Sequence, residues 1–397
     1  MHTLEDLRSG ALAGATQVRL TGLGLASFPT ELFALADTLE VLDLSGNRLA
    51  SLPGDLHRLQ RLRILFCSNN PFTVLPPALG RCAQLEMVGF KACNIGHVPA
   101  GSLPPRLRWL ILTDNALRTL PAELGQRPRL QKLMLSCNQL EALPDLSRCH
   151  ALELLRIASN RFQQVPPQLL ALPRLAWPAL AGNPFSAAAE DAALATAGAG
   201  TLDYGELGIG PLLGEGASGH IHAAVQRGSG QPLALKVFKA ASTSDGTPQS
   251  ELAAGLAAGR HPQLLTPLAR VDGHPEGRLA TALPLLPAGY RPLAAPPSFV
   301  SCTRDVYARD LRIPATVAER LLACIDAAAA HLHARGVLHG DLYAHNVLWD
   351  PDSGNALLGD FGAALLLDGL PAAQADQLLA MERRALAILH AEVRARC

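Results

Sequence analysis

No sign of charge dominates this chain. Its 397 residues carry 34 Lys and Arg against 34 Asp and Glu, with no long run of either sign. A nucleic-acid or anionic-membrane partner is therefore not indicated by the bulk electrostatics. The eight cysteines (Cys67, Cys82, Cys93, Cys137, Cys149, Cys302, Cys324, Cys397) form no C-x-x-C and no Cys/His zinc spacing, which excludes a zinc module and suits a reducing compartment. No stretch of 18 or more apolar residues occurs, so no membrane-spanning helix is expected. Met1–Gly10 carries Glu5 and Asp6 and lacks the apolar core of a signal peptide. These absences together make a cytoplasmic location the expectation. The length allows two or three domains, or one solenoid and one globular unit.

What is present first is a repeat. The pattern L-x-x-L-x-L-x-x-N-x-L-x-x-L-P recurs with prolines at 53, 76, 99, 121, 144 and 166, a period of 22 or 23 residues. One copy reads Leu39, Leu42, Leu44, Asn47, Leu49, Leu52, Pro53; another reads Leu130, Leu133, Leu135, Asn138, Leu140, Leu143, Pro144. Degenerate copies open the array near Leu20, Leu25, Phe28 and Pro29 and close it near Leu175, Leu180, Asn183 and Phe185. This is the leucine-rich repeat. Each L-x-L is a short strand whose leucines stack on those of neighbouring turns, and no turn can bury its own face alone. The Asn amide bonds backbone groups where the chain bends, and Cys93 replaces it in one copy. The variable strand positions, Glu40, Asp43, Arg63, Glu86, Arg108, Trp109, Lys132, Glu153 and Arg156, would lie on a concave binding face or form a merely solvated surface. An alanine- and glycine-rich stretch, 186–203, reads as a linker with a short helix over Ala187–Ala197 that Gly198 and Gly200 break.

From Tyr204 the pattern changes. G-x-G-x-x-G occurs at Gly214, Gly216 and Gly219, followed by Ile221. Strand-like flanks favour a hairpin over phosphates rather than a dinucleotide turn, which a helix would follow. About 20 residues on, LALKVFK carries Ala234 and Lys236, with Lys239 as a rival lysine. Glu251 is then the first acid in a helix that Gly255 and Gly259 should weaken. His261-Pro262 follows, then HGDLYAHN with Asp341 and Asn346, then Asp360-Phe361-Gly362.

In this order and spacing the motifs resemble those of the protein-kinase superfamily over Tyr204–Cys397, and the whole chain resembles bacterial leucine-rich-repeat protein kinases. The resemblance implies a two-domain molecule. A leucine-rich-repeat solenoid of parallel strands with an irregular or 3-10 convex side would span 1–185, with the linker at 186–203. An α+β bilobal protein-kinase-like domain with a reduced C-terminal lobe would span 204–397. It implies ATP in the cleft, under Gly214, Gly216, Gly219 and Ile221 and beside Ala234, with Lys236 on its phosphates and Glu251 holding that lysine. It implies Asp341 as the base for a substrate hydroxyl, and Asn346 and Asp360 as ligands of Mg2+. The adenine would bond backbone groups in the segment Pro284–Ser298.

The chain also departs from that pattern. Gly340 replaces an arginine that normally meets an activation-loop phosphate, and no A-P-E follows Asp360. Tyr343 stands where serine/threonine kinases have a lysine and His345 where tyrosine kinases often have an arginine. Either side chain could stabilise a phosphate or simply pack. Glu382 opens a stretch similar to the helix that anchors the catalytic loop, where aspartate is usual. His331 and His333, two apart on a helix, face different directions and read poorly as metal ligands. The expected activity is a serine/threonine-directed protein kinase using ATP and Mg2+, with the repeats holding a protein substrate or partner. A pseudokinase scaffold and a small-molecule kinase, the latter for the His-Gly-Asp form, are the alternatives.

Overall fold

The computed structural model describes residues 2–196, 200–216, 218–239 and 243–397. Contacts divide the chain into two units, 1–156 with 160–175, and 157–159 with 176–397.

The first unit opens with α1 (Leu4–Arg8), started by a capping box in which the Thr3 hydroxyl accepts the Asp6 N–H at 3.1 Å while Asp6 accepts the Thr3 N–H at 2.8 Å. Three-residue parallel strands follow: β1 (Gln17–Arg19), β2 (Val41–Asp43), β3 (Ile64–Phe66), β4 (Met87–Gly89), β5 (Trp109–Ile111), β6 (Lys132–Met134) and β7 (Leu154–Arg156). Each pairs with the next at the same place in its repeat, as in Val41 against Ile64 and Leu42 against Leu65. The central residues Leu42, Leu65, Val88, Leu110, Leu133 and Leu155 are all essentially inaccessible to solvent, which is the stacked interior that the leucine period requires. The prolines lead into 3-10 turns such as Pro77–Arg81 and Ala122–Gln126, and once into α2 (Pro167–Leu170).

The asparagine positions form the expected ladder. Asn70 Nδ2 donates to the Leu44 and Cys67 carbonyls, both at 3.0 Å, and its Oδ1 accepts the Leu49 N–H at 2.9 Å. Asn115 likewise bridges Phe90, Cys93 and Ile95. Cys93 keeps only the donor half: its thiol reaches the Cys67 carbonyl at 3.3 Å. The Phe72 N–H turns back onto the Asn70 carbonyl at 2.9 Å. Several strand-face charges are engaged internally. Arg63 lies between Glu40 and Glu86, Lys132 sits 4.2 Å over the Trp109 ring, and Glu153 and Arg156 are buried.

The second unit contains β8 (Trp177–Ala179). Sequence places the end of the repeats at 185, whereas the contacts place Trp177 and everything after it in this unit. The reason is packing: Trp177 lies against Tyr343, and Ala179 against Ala158 and Ala363. Helix α3 (Pro184–Thr196) follows; the expected break at Gly198 lies outside the described residues. A six-stranded sheet comes next. It comprises β9 (Thr201–Asp203), β10 (Leu207–Glu215), β11 (Gly219–Gln226), β12 (Pro232–Phe238), β13 (Ala269–Asp272) and β14 (Ala280–Pro284), in the order β10-β11-β12-β14-β13-β9. Its inner face is Leu207, Ala224, Leu235, Val271, Ala280 and Ala282.

Between β12 and β13 lies α4 (Pro248–Ala258). Contrary to the expectation of a weakened helix, it runs unbroken through Gly255. It is well started, with Thr247 accepting the Ser250 N–H at 3.1 Å and Pro248 in the first turn, and it stops at Gly259, whose φ is +68°. Gly255 is there for space: a Cβ would stand 2.6 Å from Pro267 Cδ. The remainder comprises β15 (Arg291–Pro292), α5 (Ala315–Ala334), β16 (Val337–Leu338), β17 (Val347–Trp349), β18 (Ala356–Leu358), β19 (Leu365–Leu366) and α6 (Ala372–Arg394). Helix α6 buries Leu378, Met381, Glu382, Ala385, Leu389 and Val393, the spacing of one helical face.

Candidate active site

A cavity of about 220 Å³ lies where β10–β12, α4, β14 and the β16–β18 loops meet. Hairpin β10–β11 roofs it. Gly214 and Gly216 have open space where a Cβ would project, whereas a Cβ on Gly219 would meet the Val237 carbonyl at 2.6 Å. Gly219 thus permits close strand packing, while Gly214 and Gly216 leave room for a ligand to approach the backbone. Lys239, the rival lysine, ties the turn of this hairpin through Glu215 Oε1 at 2.5 Å and the Gly216 carbonyl at 2.9 Å.

Lys236 projects from the centre of β12, paired with Ile221 on one side and Thr281 on the other. Its ammonium forms an ion pair with Glu251 of α4, both side chains nearly enclosed. Burial raises the Glu251 carboxyl to about 7; Asp360 and Asp245 add to the rise and Lys236 opposes it. Glu251 is thus ionised and paired above about pH 7 and increasingly neutral below it. The Lys236–Glu251 pair is accordingly expected to form progressively as pH rises through about 7, which an NMR titration of the Glu251 carboxyl would follow. A profile flat from pH 6 to 8 would contradict this assignment.

The loop 339–346 is held by its own backbone. The buried His339 ring donates from Nε2 to the Gly359 carbonyl at 2.9 Å and accepts the Asp341 N–H at Nδ1 at 3.3 Å. The Asn346 amide donates to the Asp341 carbonyl at 2.8 Å and to Asp341 Oδ2 at 3.0 Å. With the nitrogen so engaged, Oδ1 is the side-chain atom of Asn346 left to act as an acceptor. Asp360 adopts φ +59° and accepts the Gly362 N–H at 3.1 Å, and both Asn346 and Asp360 line the cavity. From below, Glu382 of α6, fully buried, accepts the Gly340 N–H at 2.8 Å and bonds His333 Nε2 at 3.0 Å. It anchors the loop in the way its sequence position suggests.

Gly340 itself has φ +72°, and a Cβ there would stand 2.5 Å from the Ala363 carbonyl and 2.6 Å from that of Pro178. The space an arginine side chain would leave through is occupied by backbone. Tyr343 does not reach toward a phosphate; its ring is buried and stacked on Trp177 at 4.3 Å. His345 does line the cavity, and its Nδ1 lies 2.7 Å from the buried Asp305. Burial favours its neutral form, yet the hydrogen bond and charge of Asp305, with Asp341 and Asp360 farther off, outweigh that and raise its pKa. The other histidines are placed structurally: His331 Nε2 meets the Ala258 carbonyl at 2.8 Å and its ring stacks on His261.

Of the residues singled out from sequence, Gly216, Gly219, Ile221, Lys236, Glu251, Asn346 and Asp360 share the cavity lining; Gly214, Ala234 and Asp341 are outside it, Ala234 being buried within β12 and Asp341 held to Asn346 beside the cavity. Sequence reading missed the apolar end, where Leu283 and Leu348 flank the cavity, and also Thr281, Asp305 and Trp177. The first three carry only the alternation of a strand or a lone apolar residue as signal; Asp305 and Trp177 are far from the motifs they touch.

Comparison with known proteins agrees with this geometry. Residues 208–376 match the family model for the protein kinase domain, residues 105–176 a leucine-rich-repeat model, and residues 37–88 a model of two leucine-rich repeats. A leucine-rich repeat serine/threonine-protein kinase 1 of Mus musculus is 39% identical over 67 residues, which is 17% of this chain and only 3% of the mouse protein. A solved leucine-rich-repeat protein of Leptospira interrogans is 28% identical over 42% of this chain and 48% of that one, with a TM-score of 0.34. The chain thus carries matches to leucine-rich repeats in its first part and to a protein kinase domain in its second.

Proposed function

We propose that the protein is an ATP-dependent protein kinase that transfers the γ-phosphoryl group of MgATP to a serine or threonine hydroxyl, working in the cytoplasm, with its repeats as the platform for a protein substrate or partner. The observation that carries this reading is the assembled Lys236–Glu251 ion pair beside Asn346 and Asp360 in one cavity. Leu283 and Leu348 offer the apolar flank an adenine ring needs, and Gly214 and Gly216 leave the hairpin backbone open to phosphates.

The residues present suit magnesium. Among the described residues no cluster of three or more His, Cys, Asp or Glu could hold a metal ion. An amide oxygen and a carboxylate instead supply two oxygens, as fits an ion that keeps waters and phosphate oxygens in its remaining positions. Bound there, the ion would offset charge on the transferring group. Lys236 would hold the α- and β-phosphates, and Asp341 would orient the acceptor hydroxyl and take its proton as the new P–O bond forms and the bond to the β-phosphate oxygen breaks. His345, whose charged form Asp305 favours, would stand near the transferred group in place of the usual cation. Serine/threonine preference rests on the name of the mouse relative.

Incubation of the full chain with γ-labelled ATP and magnesium is expected to label the protein or a generic peptide on serine or threonine, and Lys236→Met should remove the label. Nucleotide binding without any transfer would instead favour a scaffold, and label on tyrosine would overturn the residue preference.

A further inference from the structure

One stretch of the second unit, 177–190, which is the closing degenerate repeat and the start of α3, touches both halves of the candidate site, and none of the kinase-like motifs accounts for it. At its start, the buried Trp177 donates its Nε1–H to the Leu342 carbonyl at 3.1 Å and stacks on Tyr343 at 4.3 Å with an interplanar angle of 10°. These are the two residues directly after Asp341. The Arg304 guanidinium stands 5.0 Å from the same indole. Ala179, Ala158 and Ala363 pack with no accessible surface, seating the strand beside the residue that follows Phe361-Gly362.

At its other end, in α3, Glu190 ties three groups together. Its Oε1 accepts from the Ser186 hydroxyl at 2.6 Å and the Gly182 N–H at 2.8 Å, and its Oε2 accepts from the Ser250 hydroxyl at 2.7 Å. Ser250 is buried in α4 and immediately precedes Glu251. A carboxylate that accepts so many donors is a strong, directional tie. Helix α4 is otherwise tied by the Lys236–Glu251 pair and, at its far end, by His331 Nε2 to the Ala258 carbonyl at 2.8 Å and Arg335 Nε to the Ala257 carbonyl at 3.1 Å; Glu190 secures the end where Glu251 lies.

We propose that 177–190 is a positioning brace for catalysis, in which Trp177 fixes the loop bearing Asp341 and Glu190 fixes the helix bearing Glu251. The active constellation is then completed by residues that lie before the first kinase motif. Trp177 and Glu190 are positioning residues: neither lines the cavity. This inference rests on the proposed kinase activity for its rate readout, so a second readout without turnover accompanies it.

The test uses the full chain with Trp177→Ala, Trp177→Phe, Glu190→Ala and Glu190→Gln, each checked for a cooperative thermal transition. Amide hydrogen exchange without nucleotide is followed over 339–346 and 248–258. Trp177→Ala should speed exchange selectively in the first segment and Glu190→Ala selectively in the second. In turnover, Trp177→Ala should lower kcat by about tenfold or more with KM for ATP nearly unchanged, because sub-ångström misplacement of a catalytic group is costly. Glu190→Ala should chiefly raise KM for ATP. Trp177→Phe, which keeps the stacking, and Glu190→Gln, which keeps an acceptor, should recover part of each loss. Unaltered or uniformly raised exchange in both segments would overturn the brace, as would equal damage by the conservative and the alanine variants. A wild type that transfers no phosphate would sink the kinase reading, while the exchange data would still decide the brace.

Discussion

Replacing Asp341 by Ala is expected to cut phosphoryl transfer by about 10²- to 10⁴-fold while leaving nucleotide binding largely intact. The factor is that of a positioned general base. The separation of effects follows from the geometry: Asp341 is not among the residues lining the cavity, whereas Lys236, Asn346 and Asp360 are. Asp360→Ala should be as damaging to the rate, through loss of a magnesium ligand, and should also weaken the magnesium dependence of ATP binding. Asp341→Asn is a useful companion, since it keeps an acceptor for the Asn346 amide now 3.0 Å away and removes the base. Steady-state transfer measured beside calorimetric ATP titration checks all three. Equal loss of binding and rate in Asp341→Ala would show that the residue organises the nucleotide site rather than acting on the acceptor hydroxyl.

Restoring the arginine common in protein kinases, Gly340→Arg, is expected to disable the protein. Any side chain at φ +72° is strained, at about 1–2 kcal/mol. The new Cβ would also collide with backbone oxygens of Pro178 and Ala363, which cannot swing aside as side chains do. Overpacking of this kind costs about 1–3 kcal/mol more. The sum is a sizeable part of the stability of an ordinary domain, about 5–15 kcal/mol. Gly340→Ala separates the causes, since it adds the Cβ without the guanidinium. Thermal melting of the two variants should show most of the loss already in Gly340→Ala. A wild-type melting temperature in Gly340→Arg would mean that the chain can open this corner, and that the glycine is not there for space.

Why sequence went far here, and where it stopped, can be traced residue by residue. The repeats were readable because their period is set by stacking, and each leucine that stacks is in a fixed place. The Asp341–Asn346 spacing stood out through its resemblance to a kinase catalytic loop, and the amide that reaches across the loop gives that spacing a physical reason. The strength of α4 was not readable: counting glycines judged it weak, but Gly255 is set by the approach of Pro267, a contact between distant positions. Tyr343 looked available for chemistry because nothing local shows that an indole 166 positions earlier covers it. The same holds for His345, whose partner Asp305 lies 40 residues upstream with no motif around it. Motifs report what touches the substrate; what touches the motifs is written in composition too ordinary to stand out.

Cys93 carries one more consequence, for mechanics. Elsewhere the ladder joins adjacent coils through an amide that both donates and accepts, while at Cys93 a thiol stands in for it and backbone bonds hold the junction, the Leu75 N–H to the His97 carbonyl at 3.0 Å and the Gly96 N–H to the Thr73 carbonyl at 2.9 Å. Sulfur is a poor donor, and the Phe72 N–H has turned inward to its own coil. Under tension applied along the array, this rung gives up amide stitching but keeps its backbone seam, and the edge-to-face contact of the Phe72 and Phe90 rings at 5.0 Å still bridges it. The thiol therefore changes how this junction is fastened without marking a place where the array would split.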